Sequence, residues 1–395
     1  MKSKIINAAI FFVALLSFVA TSCAKQESPT VPTPPAYTNL SKSGTANCYI
    51  VSAAGDYRFT ANIIGNGPSG IIAGGDFHTA SATIAPESVE LLWQDTTVIT
   101  NVKLSYIKNQ VIFKTANPFI EGNAVIAVKN SSGDILWSWH IWCTDRPANQ
   151  VYQNDDEEAF TLLDRNLGET AGTSTPGTKG PDPIPDEIVT SGVFYQWGRK
   201  DPFSGTNAFV KEATSAMNGT IANTIKNPFT FYTSKGAGSP KDWHWYEEED
   251  NAKNDYLWGN PTGYDPDYTA VKSIYDPCPP GYMVPPGEVW TNFYSETEVS
   301  NMDGAWSSGG NFFLQGNDNT HGTAWYPASG NFSSGEGKHG GKESSCWSSS
   351  PASSSTNSAE GLELGSGKDH NKSKMKDYDR AQGLSVRCLL VVRTL

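Results

Sequence analysis

YDPCPPGYMVPPGEVW, residues 275–290, sets five prolines around one cysteine. Proline fixes φ and has no backbone N–H to donate, so this stretch is neither the inside of a helix nor a central strand. Pro280-Gly281 suits the middle of a type II turn, which demands positive φ at its second central residue. Pro285-Pro286 leads into GEVWTNFYSE (287–296), where Val289 and Phe293 lie four residues apart with Trp290 and Tyr294 beside them, a spacing that predicts a short helix. A chain stiffened in this way holds Cys278 in one direction. What that thiol does depends on the compartment, which the N-terminus addresses.

The chain opens MKSK, then IINAAIFFVALLSFVA, then TSC. Lys2 and Lys4 form a charged leader, and Ile5 to Ala20 an apolar run of signal-peptide length, too short to span a bilayer comfortably. Small residues stand directly before Cys23, which resembles a bacterial lipobox. The expectation is a signal over 1–22, acylation of Cys23 and export of the mature chain. Residues 23–44, rich in Pro, Ser and Thr, read as an extended tether between lipid and folded body. The expected location is the outer membrane, lipid-anchored, on the cell surface.

Net charge is −12, and Lys and Arg form no run with interleaved aromatics, which argues against nucleic acid as a partner. Gly 37, Pro 24 and 12 tryptophans point to a loop-rich, β-dominated body. Composition does not say whether the tryptophans fill cores or stack on sugars. With Cys23 committed to lipid, five cysteines remain: Cys48, Cys143, Cys278, Cys346 and Cys388. Export favours disulfides, and an odd number allows at most two within the monomer. Cys48 and Cys143 lie near the two ends of one segment, while Cys278 lies on the Pro-rich turn and Cys388 near the C-terminus. The expected pairs are Cys48–Cys143 and Cys278–Cys388, with Cys346 free.

Residues 45–146 carry short strand-like runs: NCYIV (47–51), YRFTANII (57–64), VELLW (89–93), VKLSY (102–106), QVIFKT (110–115), NAVIAV (123–128) and ILWSWHIW (135–142). KNSSGD between the last two reads as a hairpin turn. In the last run Trp137, Trp139 and Ile141 share one face, and Ser138, His140 and Trp142 the other. This pattern predicts an antiparallel β-sandwich, with His140 packed rather than ligating. From residue 147 to 395 the composition shifts to long Gly-, Ser-, Pro- and Asn-rich stretches with short ordered islands. Ile221 and Ile225, stopped by Asn227-Pro228, predict a short helix, and GLSVRCLLVV (383–392) a strand. The fold class expected is α+β.

LLDRNLGET (162–170), FYQWGRKDPF (194–203), the opening stretch, YPASGNF (326–332), CWSSSP (346–351) and GLSVRC (383–388) follow one another in order. Together they resemble the Fibrobacter succinogenes major paralogous domain of Bacteroidetes-type surface lipoproteins. The resemblance covers about 230 residues. It implies a loop-rich domain over 147–395, similar to C-type-lectin-like and formylglycine-generating-enzyme folds, whose termini pair. It also implies association with surface and fimbria-like assemblies, without an agreed activity.

The formylglycine-generating enzymes use a closely spaced cysteine pair near the C-terminus to bind copper, and this chain lacks it. Zinc-type Cys spacing, HExxH, G-x-S-x-G and a P-loop are also absent. The reading is therefore a non-catalytic binding or adhesion module with no required cofactor. DWHWYEEED (242–250) is the one suggestive cluster: Trp243, His244 and Trp245 beside Glu247 and Glu248. Aromatics beside carboxylates suit stacking on a sugar or, less supported, holding calcium. The plainer reading of the same residues is core tryptophans followed by a solvated acidic loop. The Glu-Pro-Asn and Gln-Pro-Asp motifs of sugar-binding C-type lectins are absent, so the fold likeness alone carries no lectin activity. The expected partners are the membrane, through the lipid, and a glycan or protein ligand. The rivals are a pilus-type subunit that exchanges strands with neighbours and a formylglycine-type enzyme.

Overall fold

The computed structural model describes residues 36–67, 83–170, 192–204, 211–213, 219–233, 244–245, 255–259, 272–293, 302–303, 309–315, 319–333, 336–338, 343–365 and 373–391. The structure is mostly β, in several sheets. Cys23, with the rest of the expected signal and most of the tether, lies outside the described residues. Among those described, no helix is long and apolar enough to cross a membrane.

Among the described residues, eight strands precede residue 147: β1 (Thr38–Asn39), β2 (Cys48–Val51), β3 (Asp56–Thr60), β4 (Ser88–Gln94), β5 (Ile99–Leu104), β6 (Gln110–Thr115), β7 (Gly122–Lys129) and β8 (Ile135–Cys143). They form two four-stranded sheets, ordered β1-β3-β6-β5 and β2-β8-β7-β4. Aromatic side chains join the sheets: the Phe59 ring lies 5.0 Å from Tyr49 and 5.1 Å from Trp139. The expectation of purely antiparallel pairing is corrected here. β1 runs parallel to β3, and β2 parallel to β8.

That parallel register also overturns the expected Cys48–Cys143 disulfide, and both thiols are free. Cys48 stands opposite His140, and Cys143 opposite Val51. The two cysteines are therefore offset by three residues along adjacent strands, roughly 10 Å at the usual rise per residue. A disulfide needs Cα atoms within about 7 Å.

Strand β8 is buried on both faces. Trp139 faces the other sheet, through Phe59. The alternate face, which reads as half polar, does not meet water. Ser138 donates to Asp201, His140 meets Tyr195, and Trp142 donates to the Glu169 carbonyl at 2.8 Å. All three partners lie beyond residue 147. Among the described residues strand pairing does not cross 146/147, yet one continuous core runs from Cys48 through Trp142 to Trp347 and Cys388. Tyr37–Leu395 accordingly forms one compact unit.

In the second half, Ala159–Leu163 pairs with Leu389–Leu390, so the start and the end of this region meet in one sheet. Helix α1 (Ile221–Lys226) starts at Thr220, whose side chain accepts from the Asn223 N–H at 3.1 Å, and stops at Asn227. Residues Gly287–Phe293 form a 3-10 helix that buries Val289, Trp290 and Phe293. The strand expected over 383–392 is instead two short pairings, Gly383–Leu384 and Leu389–Leu390. The residues between them are taken up by the Cys388 disulfide and by the contacts of Arg387.

The Cys278–Cys388 disulfide is present. Its Pro-rich segment is built around Asp276, whose two carboxylate oxygens accept from Cys278 N–H and Val284 N–H, each at 2.8 Å. Gly281 has φ +84° and Tyr282 N–H donates to the Pro279 carbonyl at 3.0 Å, as a type II turn requires. Lys272 is buried beneath, 3.6 Å from Asp276 and donating to the carbonyls of Cys278 and Pro279. From the first half, the Asn47 amide donates to the carbonyls of Ile274 at 2.7 Å and Asp276 at 2.9 Å. The stiff stretch is thus the joint between the two halves of the chain.

Candidate functional site

FYQWGRKDPF begins as the strand Val193–Gln196 and then turns sharply, Arg199 N–H donating to the Gln196 carbonyl at 3.0 Å. Gly198 allows the turn. Its φ is +88°, and a Cβ there would stand 2.5 Å from Leu257. Three carbonyls along this segment each take an indole N–H. Trp347 donates to Tyr195 at 2.7 Å, Trp245 to Trp197 at 2.6 Å and Trp258 to Arg199 at 3.2 Å. A buried indole N–H needs an acceptor, and alternate carbonyls of one extended segment supply three.

This platform answers what the tryptophans do. Trp137, Trp139, Trp142, Trp197, Trp245, Trp258, Trp290 and Trp347 are all fully buried. Trp245, a candidate sugar contact with core packing as the plainer reading, is a core residue, and His244 is buried beside it. Trp243, Glu247 and Glu248 lie outside the described residues.

A small cavity opens beside the turn, lined by Gly198, Arg199, Lys200, Asp201, α1, Trp245, Leu257 and Tyr275. Lys200 and Asp201 form a buried ion pair of 2.6 Å, and Lys200 also meets the Ser138 hydroxyl at 2.6 Å and lies 4.5 Å over the Trp137 ring. Burial pushes the Lys200 ammonium below its ordinary pKa, opposed by Asp201. Arg199 donates to the Gln196 side chain at 2.8 Å and to the carbonyls of Thr230 and Pro228 at 2.7 and 3.0 Å. Its guanidinium also lies 4.9 Å from the Phe203 ring. Burial lowers its pKa to about 10.

A second cluster joins four of the separated motifs. Asn166, of LLDRNLGET, accepts from Arg387 Nε at 3.0 Å, and the Cys346 sulfur lies 3.6 Å from the same oxygen. Arg387 donates to the Tyr152 hydroxyl at 3.1 Å and to the Trp325 carbonyl at 2.7 Å, and lies 3.7 Å over Tyr326. Burial pushes the Cys346 thiol up to about 12, which is the condition of an inert thiol rather than a nucleophile. Cys388 is spent in the disulfide. Glu169 is wholly buried and neither carboxylate oxygen has a hydrogen-bond partner. Its carboxyl is pushed up to about 8 by burial, against the pull of Arg387. No sequence signal marks it, because an isolated Glu in a polar run looks solvated.

His140 is packed. Its Nε2 donates to Asn123 at 2.9 Å and its Nδ1 takes the Tyr195 hydroxyl at 3.3 Å. The tautomer follows from Asn123, whose amide is turned outward to donate to Asp95 and to the Gly168 carbonyl. Burial lowers His140 to about 3. Among the described residues, no group of three or more His, Cys, Asp or Glu is placed to hold a metal ion. No family model, curated protein or solved structure matches the chain.

Proposed function

We propose that the chain is a lipid-anchored cell-surface protein in which a two-sheet β-sandwich carries a lectin-like module for binding or adhesion. One observation supports this most. Segments 234–243, 246–254 and 260–271 start and end on the platform around residues 196–199. Gln196 binds the Tyr232 carbonyl at 2.7 Å before the first segment. Trp245 binds Trp197 between the first and second. Asp255 pairs with Arg380, which lies 4.4 Å over Trp197, after the second. Ser273, bonded to the Leu257 carbonyl, follows the third. The described residues that flank these three segments thus meet at one place on a rigid body, and recognition is often carried by chain displayed from such a scaffold. In sequence they hold Trp243, Glu247 and Glu248, named above as candidate contacts to a sugar or a calcium ion.

The anchor is tested by metabolic labelling with an alkynyl fatty acid, which should label the full chain and not Cys23→Ser. The binding role is tested by screening the chain on glycan and matrix-protein arrays. A ligand lost in Trp243→Ala or Glu247→Gln/Glu248→Gln, with the melting temperature unchanged, supports the reading. Absence of any ligand, with Trp243→Ala merely unfolding the protein, overturns it. The pilus-subunit alternative draws on β1, which holds the edge of β3 through only two register pairs. That reading requires polymers in which β1 has been replaced.

A further inference from the structure

We infer that the outer face of the three-stranded sheet around Trp325 binds a neutral glycan, with the Trp325 indole as the surface on which a sugar ring stacks. The site lies on residues outside the three segments named above and does not depend on them.

The sheet consists of Met302–Asp303, Gly309–Phe313 and Thr323–Pro327, paired antiparallel. Alternation gives it two faces. Phe312, Ala324 and Tyr326 point into the core, where Phe312 stacks on Phe293 at 5.5 Å. Asn311 and Phe313 on one strand, with Thr323 and Trp325 on the next, take the other face, and each is half-buried. Neither Phe313 nor Trp325 packs on any of the hydrophobic cores. Asp303 stands opposite Asn311, and Asn311 opposite Trp325, so the three form one row across the sheet.

Trp325 is unlike the other tryptophans. Among the described residues it is the one that is not buried. Seven of the buried indoles donate their N–H to a protein acceptor. Among the described residues no hydrogen bond holds the Trp325 N–H. Its ring lies against Gly309, where a Cβ would stand 2.5 Å from Cζ2 and 2.9 Å from Cη2. Glycine there lets the indole lie along the strand, which fixes the ring without enclosing it.

A fixed aromatic ring with one side toward water offers a flat surface to the C–H face of a sugar, and polar groups at its edge set the orientation. Asn311 is the nearest such group, directly across from Trp325. Its Oδ1 is buried without a partner, which leaves the amide nitrogen as the end turned outward to donate to a hydroxyl. Asp303, exposed at the end of the row, supplies an acceptor. Phe313, diagonal to Trp325, is within reach of a second ring of the same chain. Charge decides between ligand classes. From 304 to 335 the sequence has no Lys, Arg or Glu, so the face lacks the charge that would select an acidic sugar, a nucleic acid or a basic peptide. An apolar protein partner would cover the Asn311 amide at a cost that sugar hydroxyls avoid.

The test is hydroxyl-radical footprinting of the whole chain, alone and with cellohexaose, laminarihexaose, maltohexaose or mannohexaose, read at Trp325 by peptide mass spectrometry. The expected result is oxidation of Trp325 in the protein alone and protection that saturates with at least one of these sugars. Trp325→Ala should raise the Kd for that sugar roughly tenfold, and Trp325→Phe should recover part of the loss. Trp243→Ala and Glu247→Gln/Glu248→Gln should leave this binding unchanged, so the site stands or falls apart from the display reading. Equal oxidation of wild-type Trp325 with and without all four sugars overturns the proposal, as does binding that Trp325→Ala leaves intact. Protection in the protein alone that is lost on dilution assigns the face to a second copy of the chain and overturns it too.

Discussion

Cys48 stands directly across from His140 on the neighbouring parallel strand, and this one register pair decides the thiol chemistry of the first half. It leaves Cys48 and Cys143 free, both buried and both pushed up by burial, Cys143 to about 12. Non-reducing peptide mapping should therefore find Cys278–Cys388 as the bridge among these residues. Maleimide should label Cys48, Cys143 and Cys346 only after denaturation. Rapid labelling of any of the three in the folded protein would contradict the structure.

The Cys278–Cys388 bridge spans a sequence separation of 110. In the chain-entropy account, closing a loop of that length stabilises by roughly 4–5 kcal/mol. Cys278→Ala/Cys388→Ala should lower the unfolding free energy in urea by about that much, and reductant should shift the wild type toward the double variant. The same midpoint with and without reductant would show that the clasp contributes nothing.

Asn47 is the pin between the two halves. Its amide donates to the carbonyls of Ile274 and Asp276, while its oxygen accepts from Trp137 Nε1 at 2.9 Å. Asn47→Ala orphans three buried groups and should cost about 2–4 kcal/mol, at roughly 1 kcal/mol or more each. Because the core is continuous across 146/147, calorimetry of Tyr37–Leu395 should show one transition. Two resolved transitions, with only one moved by Asn47→Ala, would make the halves independent domains.

Buried groups set the pH dependence from opposite sides. Glu169 is raised from 4.5 to about 8, so the folded state holds a proton that the unfolded state releases across that window. Stability from this group therefore falls as pH rises from about 4.5 to 8, by up to about 1.4 kcal/mol per unit. His140 is lowered from 6.5 to about 3, so here the unfolded state takes the proton first, and stability falls as pH drops below 6.5. The two slopes oppose each other between pH 4.5 and 6.5. Asp95, raised from 3.8 to about 6 by burial, adds a further slope of the Glu169 sign, so urea midpoints should fall as pH rises from about 4.5 to 6, level off toward 6.5 and fall again up to about 8. Glu169→Gln should flatten the alkaline limb and leave the acid limb in place. An alkaline limb identical in Glu169→Gln would assign it to another group.

The short alternating runs before residue 147 were legible as strands because period-2 hydrophobicity bounded by turn residues is a local property. Asn227-Pro228 marks the end of α1 for the same reason. The Cys278–Cys388 pairing was legible because the prolines leave so few conformations to the chain around Cys278. Glu169 was not legible, since burial of a carboxylate depends on what packs over it. For Trp245 the sequence left core and binding surface both open, with core the plainer reading, and only the tertiary structure gave its indole the Trp197 carbonyl as partner.

Taken alone, the sequence determined where the chain bends and which stretches extend, since φ restriction at proline, positive φ at glycine and side-chain alternation act over a few residues. Only the tertiary structure decided which strands lie side by side and in which direction. Parallel pairing of β2 with β8 separates two cysteines that an antiparallel guess had joined. Packing of the second half onto the Ser138, His140 and Trp142 face of β8 buries that half-polar face as well. Both outcomes rest on contacts between residues far apart in the chain, whose energies depend on shape and desolvation and leave no pattern in either segment by itself.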